Sequence, residues 1–217
     1  PRFFNTLKLA TLGTLIAMGM GIGVGVIAAL KRNTAVDSIA MTTAILGIST
    51  PVFLLAIILI EIFSIKLHLL PTTPLGEEAE LKHLVLPSLT LGLIGVASIA
   101  RMTRASMLEV LHQEYIRTAY AYGFESHKVL FKYALRNALI PVVTVSGLIF
   151  GYLLAGAVIT ETVFAYPGLG RLIVESIFAR DYTVVQVGLL FTSFVFAIVN
   201  TAIDVIYAII NPKVRLR

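Results

Sequence analysis

Apolar positions in this chain fall into five long stretches, separated by shorter polar ones. They run roughly Thr6 to Leu30, Ser38 to Phe63, His83 to Ala105, Asn137 to Thr160 and Thr183 to Ile210. A bilayer core needs about 20 apolar residues per helix, and a helix in lipid satisfies its own backbone hydrogen bonds. Each stretch therefore predicts a membrane-spanning helix. The third is interrupted by Pro87, Gly92 and Gly95 and carries Arg101 and Arg104 near its end, but membrane helices tolerate Pro and Gly where neighbours satisfy the freed groups. The first is too long for a signal peptide: Leu9 to Leu30 is 22 uncharged residues, against about 7 to 15 for a signal h-region. The pattern predicts an all-α, polytopic transmembrane bundle of about five spans, a single domain over residues 1–217.

Composition agrees. The chain is 58% hydrophobic and 13% charged, with mean hydropathy +0.92, whereas a soluble domain carries about 25% charged residues. So few charges cannot cover that much apolar surface in water. The net charge of +5 does not mark a nucleic-acid binder, because the basic residues are spread over short loops and form no reading face. Cysteine is absent, so thiol chemistry is excluded.

Lys and Arg concentrate in cytoplasmic loops of membrane proteins. Eleven of the seventeen fall on one side: Lys31, Arg32, Arg101, Arg104, Arg117, Lys128, Lys132, Arg136, Lys213, Arg215 and Arg217. The other side has Arg2, Lys8, Lys66, Lys82, Arg171 and Arg180, with Glu77, Glu78 and Glu80 among them. Residues 102–136 and the C-terminus are expected to face the cytoplasm and residue 1 the outside. That orientation leads us to expect an earlier span in the native protein.

Within the spans, Gly19, Gly21, Gly23 and Gly25 form two overlapping G-x-x-x-G pairs, and Gly147 and Gly151 another. Such pairs let helix backbones approach closely. The string Gly23-x-Gly25-x-x-Ala28 matches a loose dinucleotide fingerprint, but the strand and βαβ unit it requires are missing from an apolar span. There is no P-loop, no zinc spacing and no nucleophile elbow. His68, His83, His112 and His127 are scattered, so no metal site is expected in this chain. Glu61, Asn200 and Asp204 lie near span ends, an ordinary interfacial placement.

Residues 106–136, between the third and fourth spans, are too polar to span and too apolar for a solvated linker. They read as short amphipathic helices broken at Gly123, which takes the left-handed conformation without a Cβ penalty. Ser126 is placed to cap a second helix, in which Val129, Leu130, Tyr133, Ala134 and Asn137 recur at helical spacing. Such a hairpin either lies on the membrane surface or docks into a partner. Physical chemistry alone leaves both open.

The string Arg117-Thr-Ala-Tyr-Ala-Tyr-Gly123, followed by Ala134-Leu-Arg-Asn-Ala-Leu-Ile-Pro141, resembles the cytoplasmic EAA loop of ATP-binding-cassette importer permeases. The likeness is greatest to the dipeptide/oligopeptide/nickel permease family. It continues through Thr160-Glu-Thr-Val-Phe-Ala-Tyr-Pro-Gly-Leu-Gly-Arg171, Ala179-Arg-Asp-Tyr182 and Asn211-Pro-Lys-Val-Arg215. Arg117, Thr118 and Ala119 stand where the general motif has Glu-Ala-Ala, as in the peptide-type branch, so no ion pair follows from the usual glutamate. Family members also carry a first span and an external segment before the region seen here, so the chain resembles a permease shortened at its N-terminus.

The resemblance implies the permease subunit of an importer in a prokaryotic cytoplasmic membrane, not an enzyme. It implies a second, homologous permease in a heterodimer, two ATPase subunits that carry ATP and Mg, and an external substrate-binding protein. It implies that Tyr115, Arg117, Thr118, Ala119, Tyr122, Gly123, Phe124 and Pro141 belong to the coupling segment. Tyr115, Tyr120, Tyr122 and Phe124 are the expected apolar anchors, with Arg117, Glu125 and Lys128 at the rim; a lipid-interface belt is the competing reading of any one tyrosine. Thr144, Ser146, Thr160 and Glu161 are candidates for the translocation path. Glu161 either lines the substrate mouth or caps the helix that follows it, and Thr144, Ser146 and Thr160 either face the path or bond back to their own helix. The expected cargo is a di- or oligopeptide, with nickel or an oligosaccharide as alternatives. A secondary transporter would place charges deep within spans, and a membrane enzyme would need converging catalytic groups; the sequence has neither.

Overall fold

A computed structural model describes residues 1–72 and 81–210. Their regular structure is helical throughout: α1 (Arg2–Leu30), α2 (Ala35–Ser49), α3 (Val52–Leu59), α4 (Leu81–Leu111), α5 (Glu114–Ala121), α6 (Ser126–Lys128), α7 (Arg136–Gly156), α8 (Val158–Val163), α9 (Leu169–Phe178) and α10 (Tyr182–Ile210). Among the described residues, four helical rods are long and apolar enough to cross a membrane, and α2 with the segment from α3 to Lys66 makes a fifth if that bent pair is one span. The four are α1, α4, the continuous run from Ser126 into α7, and α10. At 1.5 Å per residue, the 31 residues of α4 reach about 46 Å, past a hydrocarbon core of about 30 Å. The helix is thus longer than the hydrocarbon core is thick, and its last turns lead into α5.

Parallel packing of α1 on α4 is the spine of the bundle. Gly13 lies against Leu91, Ala17 against Gly95, Gly21 against Ile99 and Gly25 against Thr103, a constant offset in register. Residues four apart share a helix face, so this stripe of small residues on α1 lets the two helices touch. A Cβ on Gly21 would stand 2.7 Å from the Ile99 side chain, and one on Gly25 2.6 Å from the Ala100 carbonyl oxygen. Of the two overlapping glycine pairs, only Gly21 and Gly25 are used here; Gly19 and Gly23 meet no neighbouring atom. Gly147 and Gly151 seat α7 against Ile203 and Asn200 of α10.

The second expected span is not one helix. α2 and the segment from α3 through the π-helical turns Ile60–Lys66 meet at 103°. Thr50 before Pro51 is extended (φ −80°, ψ 125°), because the proline ring excludes the helical conformation from its predecessor. The fourth span also begins earlier than expected. Ser126 opens the helix with Glu125 at the cap position and makes no capping hydrogen bond of its own, and the rod continues through a π-helical stretch, Val129–Leu135, into α7. Val129 and Ala134, five apart, are both buried, as the wider π turn requires.

Three apolar clusters follow one another along the bundle. Leu9, Leu86, Leu153, Phe164 and Tyr166 lie at the outer end, Ala17, Ile99 and Val142 in the middle, and Ala29, Met107, Ile116, Val129 and Ala138 at the inner end. α10 is almost wholly exposed along its length, Leu190 at 72% and Phe194 at 66%. Away from its contacts with α7 and α9, this apolar surface is matched to lipid or to another membrane helix.

Candidate functional site

At the inner end, α4 stops at Leu111 and α5 folds back beneath the bundle. Ile116 and Ala119 are its two buried side chains, and they pack into the cluster with Met107, Ala29 and Val129. Gly123 ends the turn at φ +77° with open space around its Cα; its N–H bonds to the Tyr120 carbonyl and that of Phe124 to Ala119. Tyr115, Tyr120, Tyr122 and Phe124 are all exposed, Tyr122 to 79%. Their ties within the chain are slight. The Tyr115 hydroxyl accepts from Asn137 Nδ2 at 3.0 Å, and the Phe124 ring leans on Tyr133 at 5.8 Å between centroids. Around them lie the surface pairs Arg117–Glu114 at 3.4 Å and Lys128–Glu125 at 2.9 Å. Thr118 bonds back to the Glu114 carbonyl. Pro141 lies apart from this surface, half-buried within α7.

At the outer end the polar groups are closed in on one another. Glu161, in α8, is fully buried. One carboxylate oxygen accepts the Thr6 hydroxyl at 2.6 Å, and the other accepts the Arg171 N–H at 3.0 Å, in the first turn of α9. Thr6 in turn accepts the Leu169 N–H at 2.9 Å. Asn5 Nδ2 donates to the Pro167 carbonyl at 3.0 Å, and the buried Tyr166 hydroxyl donates to the Asn5 carbonyl at 3.3 Å. Arg171 donates to the Ala165 carbonyl and pairs with Glu175 at 2.7 Å. Glu161 thus caps α9, whose first N–H groups lack partners inside their own helix, and α1 is stitched to the Tyr166-Pro-Gly turn. Burial pushes the Glu161 carboxyl above the usual range, against hydrogen bonds from Thr6 and from the Arg171 and Gly170 N–H groups and the nearby Arg2 charge. Burial, reinforced by the Glu161 charge, raises the Tyr166 hydroxyl to about 12.

The other candidate path residues are held within their helices. Ser146 is buried and donates to the Val142 carbonyl at 2.8 Å, and half-buried Thr144 donates to Ile140 at 3.4 Å. Thr160 is buried, and its hydroxyl has no hydrogen-bond partner among the described residues. An apolar cleft of about 410 Å³ opens instead between α1, α2, α3 and α4, lined by Met20, Val24, Ala44, Leu55, Leu93 and Ala97. Asn211 to Arg215 lie outside the described residues.

Comparison with known proteins decides the family. The profile of the binding-protein-dependent transport system inner membrane components matches residues 21–216. The chain belongs to this family. The permease is 47% identical over 216 residues to the glutathione transport system permease protein GsiC of Escherichia coli strain K12, covering 100% of this chain and 70% of that protein. The corresponding protein of Shigella boydii serotype 4 is 46% identical over the same shares. Among solved structures, the permease fold matches the inward-facing MetNI methionine ABC transporter with a TM-score of 0.80 at 19% identity, over 97% of this chain and 94% of that one. An amino acid ABC transporter crystallised with histidines matches with a TM-score of 0.66 at 15% identity, over 96% and 90%. The permease is a multi-pass helical protein of the cytoplasmic membrane with the type I importer fold.

Sequence reasoning singled out Glu161 but not its partners. Asn5 and Thr6 are polar residues at the mouth of an apolar run, a visible signal, but they meet Glu161 and Pro167 across some 155 to 162 residues of sequence. Asp37, buried at the inner end against Arg104, was not singled out either.

Proposed function

We propose that this permease forms half of the translocation path of an ATP-driven importer for short peptides of the glutathione class, and that α5 with the turn through Phe124 is the segment that seats in an ATPase subunit. The observation that carries the coupling role is a set of exposed aromatics, Tyr115 and Tyr120 flanking the side of α5 that Ile116 and Ala119 anchor, and Tyr122 and Phe124 in the turn that follows. Aromatic anchors surrounded by a charged rim are the usual composition of a protein interface, and anchoring on the inner cluster makes α5 a rigid lever on α4 and α7. The 47% identity to a glutathione permease supports a small, polar peptide as cargo. Hydrolysis then belongs to two ATPase partners, a second homologous permease completes the path, and an external binding protein delivers the substrate.

Purification of the native assembly from membranes in mild detergent, with mass spectrometry of what stays bound, tests this reading. It predicts a homologous permease and P-loop ATPases, and uptake of labelled glutathione by the reconstituted assembly. Recovery of a lone homo-oligomer contradicts the importer reading; uptake of nickel or an oligosaccharide in place of the peptide contradicts the cargo.

A further inference from the structure

Helix α2 packs on α1 and α4 with most of its described side chains exposed, and an ion pair clamps its first turn to α4. Among its described side chains only Asp37 and Ala44 are buried, while Ile39, Ile45 and Leu46 are exposed. Asp37, in the first turn of α2, meets Arg104 of α4 in a forked contact: Nε donates to Oδ1 and an Nη to Oδ2, each at 2.6 Å. The carboxylate also accepts the Asn33 N–H at 3.0 Å, which fixes the tight turn between α1 and α2, where Asn33 takes φ 61°. Bidentate Arg–carboxylate contacts fix direction as well as distance. Arg104 lies two turns before the end of α4, on the stretch that leads into α5. At its far end α2 meets the 103° bend and the apolar cleft, which its Ala44, Gly47 and Thr50 help to line.

From this arrangement we infer that Asp37 and Arg104 are a positioning pair, through which movement of α4 and the coupling segment is passed to α2 and to the walls of the cleft. The inference rests on the coupling role proposed above. α4 moves with α5 through the Met107, Ile116 and Ala119 contacts, and α2 follows only while its first turn is clamped to α4. Without the clamp, α5 still seats in the ATPase but α2 lags. Neither group touches substrate in this account.

The test uses the complete assembly in proteoliposomes, with labelled glutathione as the probe, and compares the parent with Arg104→Gln, with Asp37→Asn plus Arg104→Gln, and with Arg104→Lys. The double variant leaves no lone buried charge, so its folding does not depend on accommodating one. We expect every variant to retain the ATPases, and both Gln-bearing assemblies to import about tenfold less per ATP hydrolysed, a typical size for a coupling effect between sites. Loss of the pair in one step or two should cost the same, and Arg104→Lys should restore most of the ratio. Unchanged transport per ATP, additive losses, or a Lys variant as uncoupled as Gln would overturn the pair's role. Failure of the parent assembly to retain any ATPase would instead overturn the coupling reading beneath it.

Discussion

The two ends of the bundle hold comparable numbers of polar and aromatic groups and use them in opposite ways. At the outer end, the side chains of Glu161, Thr6, Asn5 and Tyr166 are buried and bond to one another and to nearby backbone groups such as the Arg171 N–H. At the inner end, Tyr120, Tyr122 and Phe124 stand in the open with little from their own chain against them. Buried polar groups are expensive to leave unpaired, so the outer cluster reads as a structural joint. Exposed aromatics on an anchored helix contribute little to folding and read as contacts awaiting a partner. On the proposed reading, the difference separates residues that build the permease from residues that connect it to an ATPase.

The sharpest break of that contrast is expected at the outer end. Glu161→Ala strands the Thr6 hydroxyl and the Arg171 N–H, at about 1 to 3 kcal/mol each, and should lower the melting temperature in detergent more than any change to α5. Gly168→Ala should follow, because its new Cβ would collide with the Glu161 carboxylate; overpacking of this kind costs about 1 to 3 kcal/mol. Gly123→Ala forces a left-handed residue at φ +77° and should cost about 1 kcal/mol in the same melt. Tyr122→Ser is expected to stay within about 0.5 kcal/mol of the parent, as surface changes do.

The pH response sharpens the same comparison. Burial raises Glu161 in the folded state, so as pH climbs the unfolded chain releases this proton first. Stability should therefore fall from the ordinary glutamate pKa up to the raised one, and Glu161→Gln should flatten that fall. Tyr166 acts likewise at the alkaline limit, removing stability between its ordinary value of 10 and about 12. Thermal melts across pH check both, and no equivalent response is expected from Phe124 variants.

Much of this architecture was legible in the sequence because run length reports the solvent. α1, α4, α7 and α10 sit where apolar length required spans, and Gly123 ends its helix as its conformational freedom suggested. The break at Thr50-Pro51 escaped because hydropathy is the same on both sides of it and carries no direction. The parallel register of α1 on α4 needed Gly13 and Ala17 read together with Gly21 and Gly25, one face at four-residue spacing. The two roles open for Glu161 could not be ranked without Thr6, and Arg104 marked a membrane boundary until Asp37 was seen beneath it. Except for the break at Pro51, which is local, each miss is a long-range pairing that local pattern does not encode.

The central claim is that the exposed aromatics of α5 and of the turn through Phe124 bind the ATPase and do not hold the permease together. Capture of the ATPase subunits by affinity-tagged Phe124→Asp permease, with a melting curve on the same preparation, tests it most directly. The account predicts a melting temperature near the parent's and loss of most of the captured ATPase; full ATPase capture by a well-folded variant would contradict it.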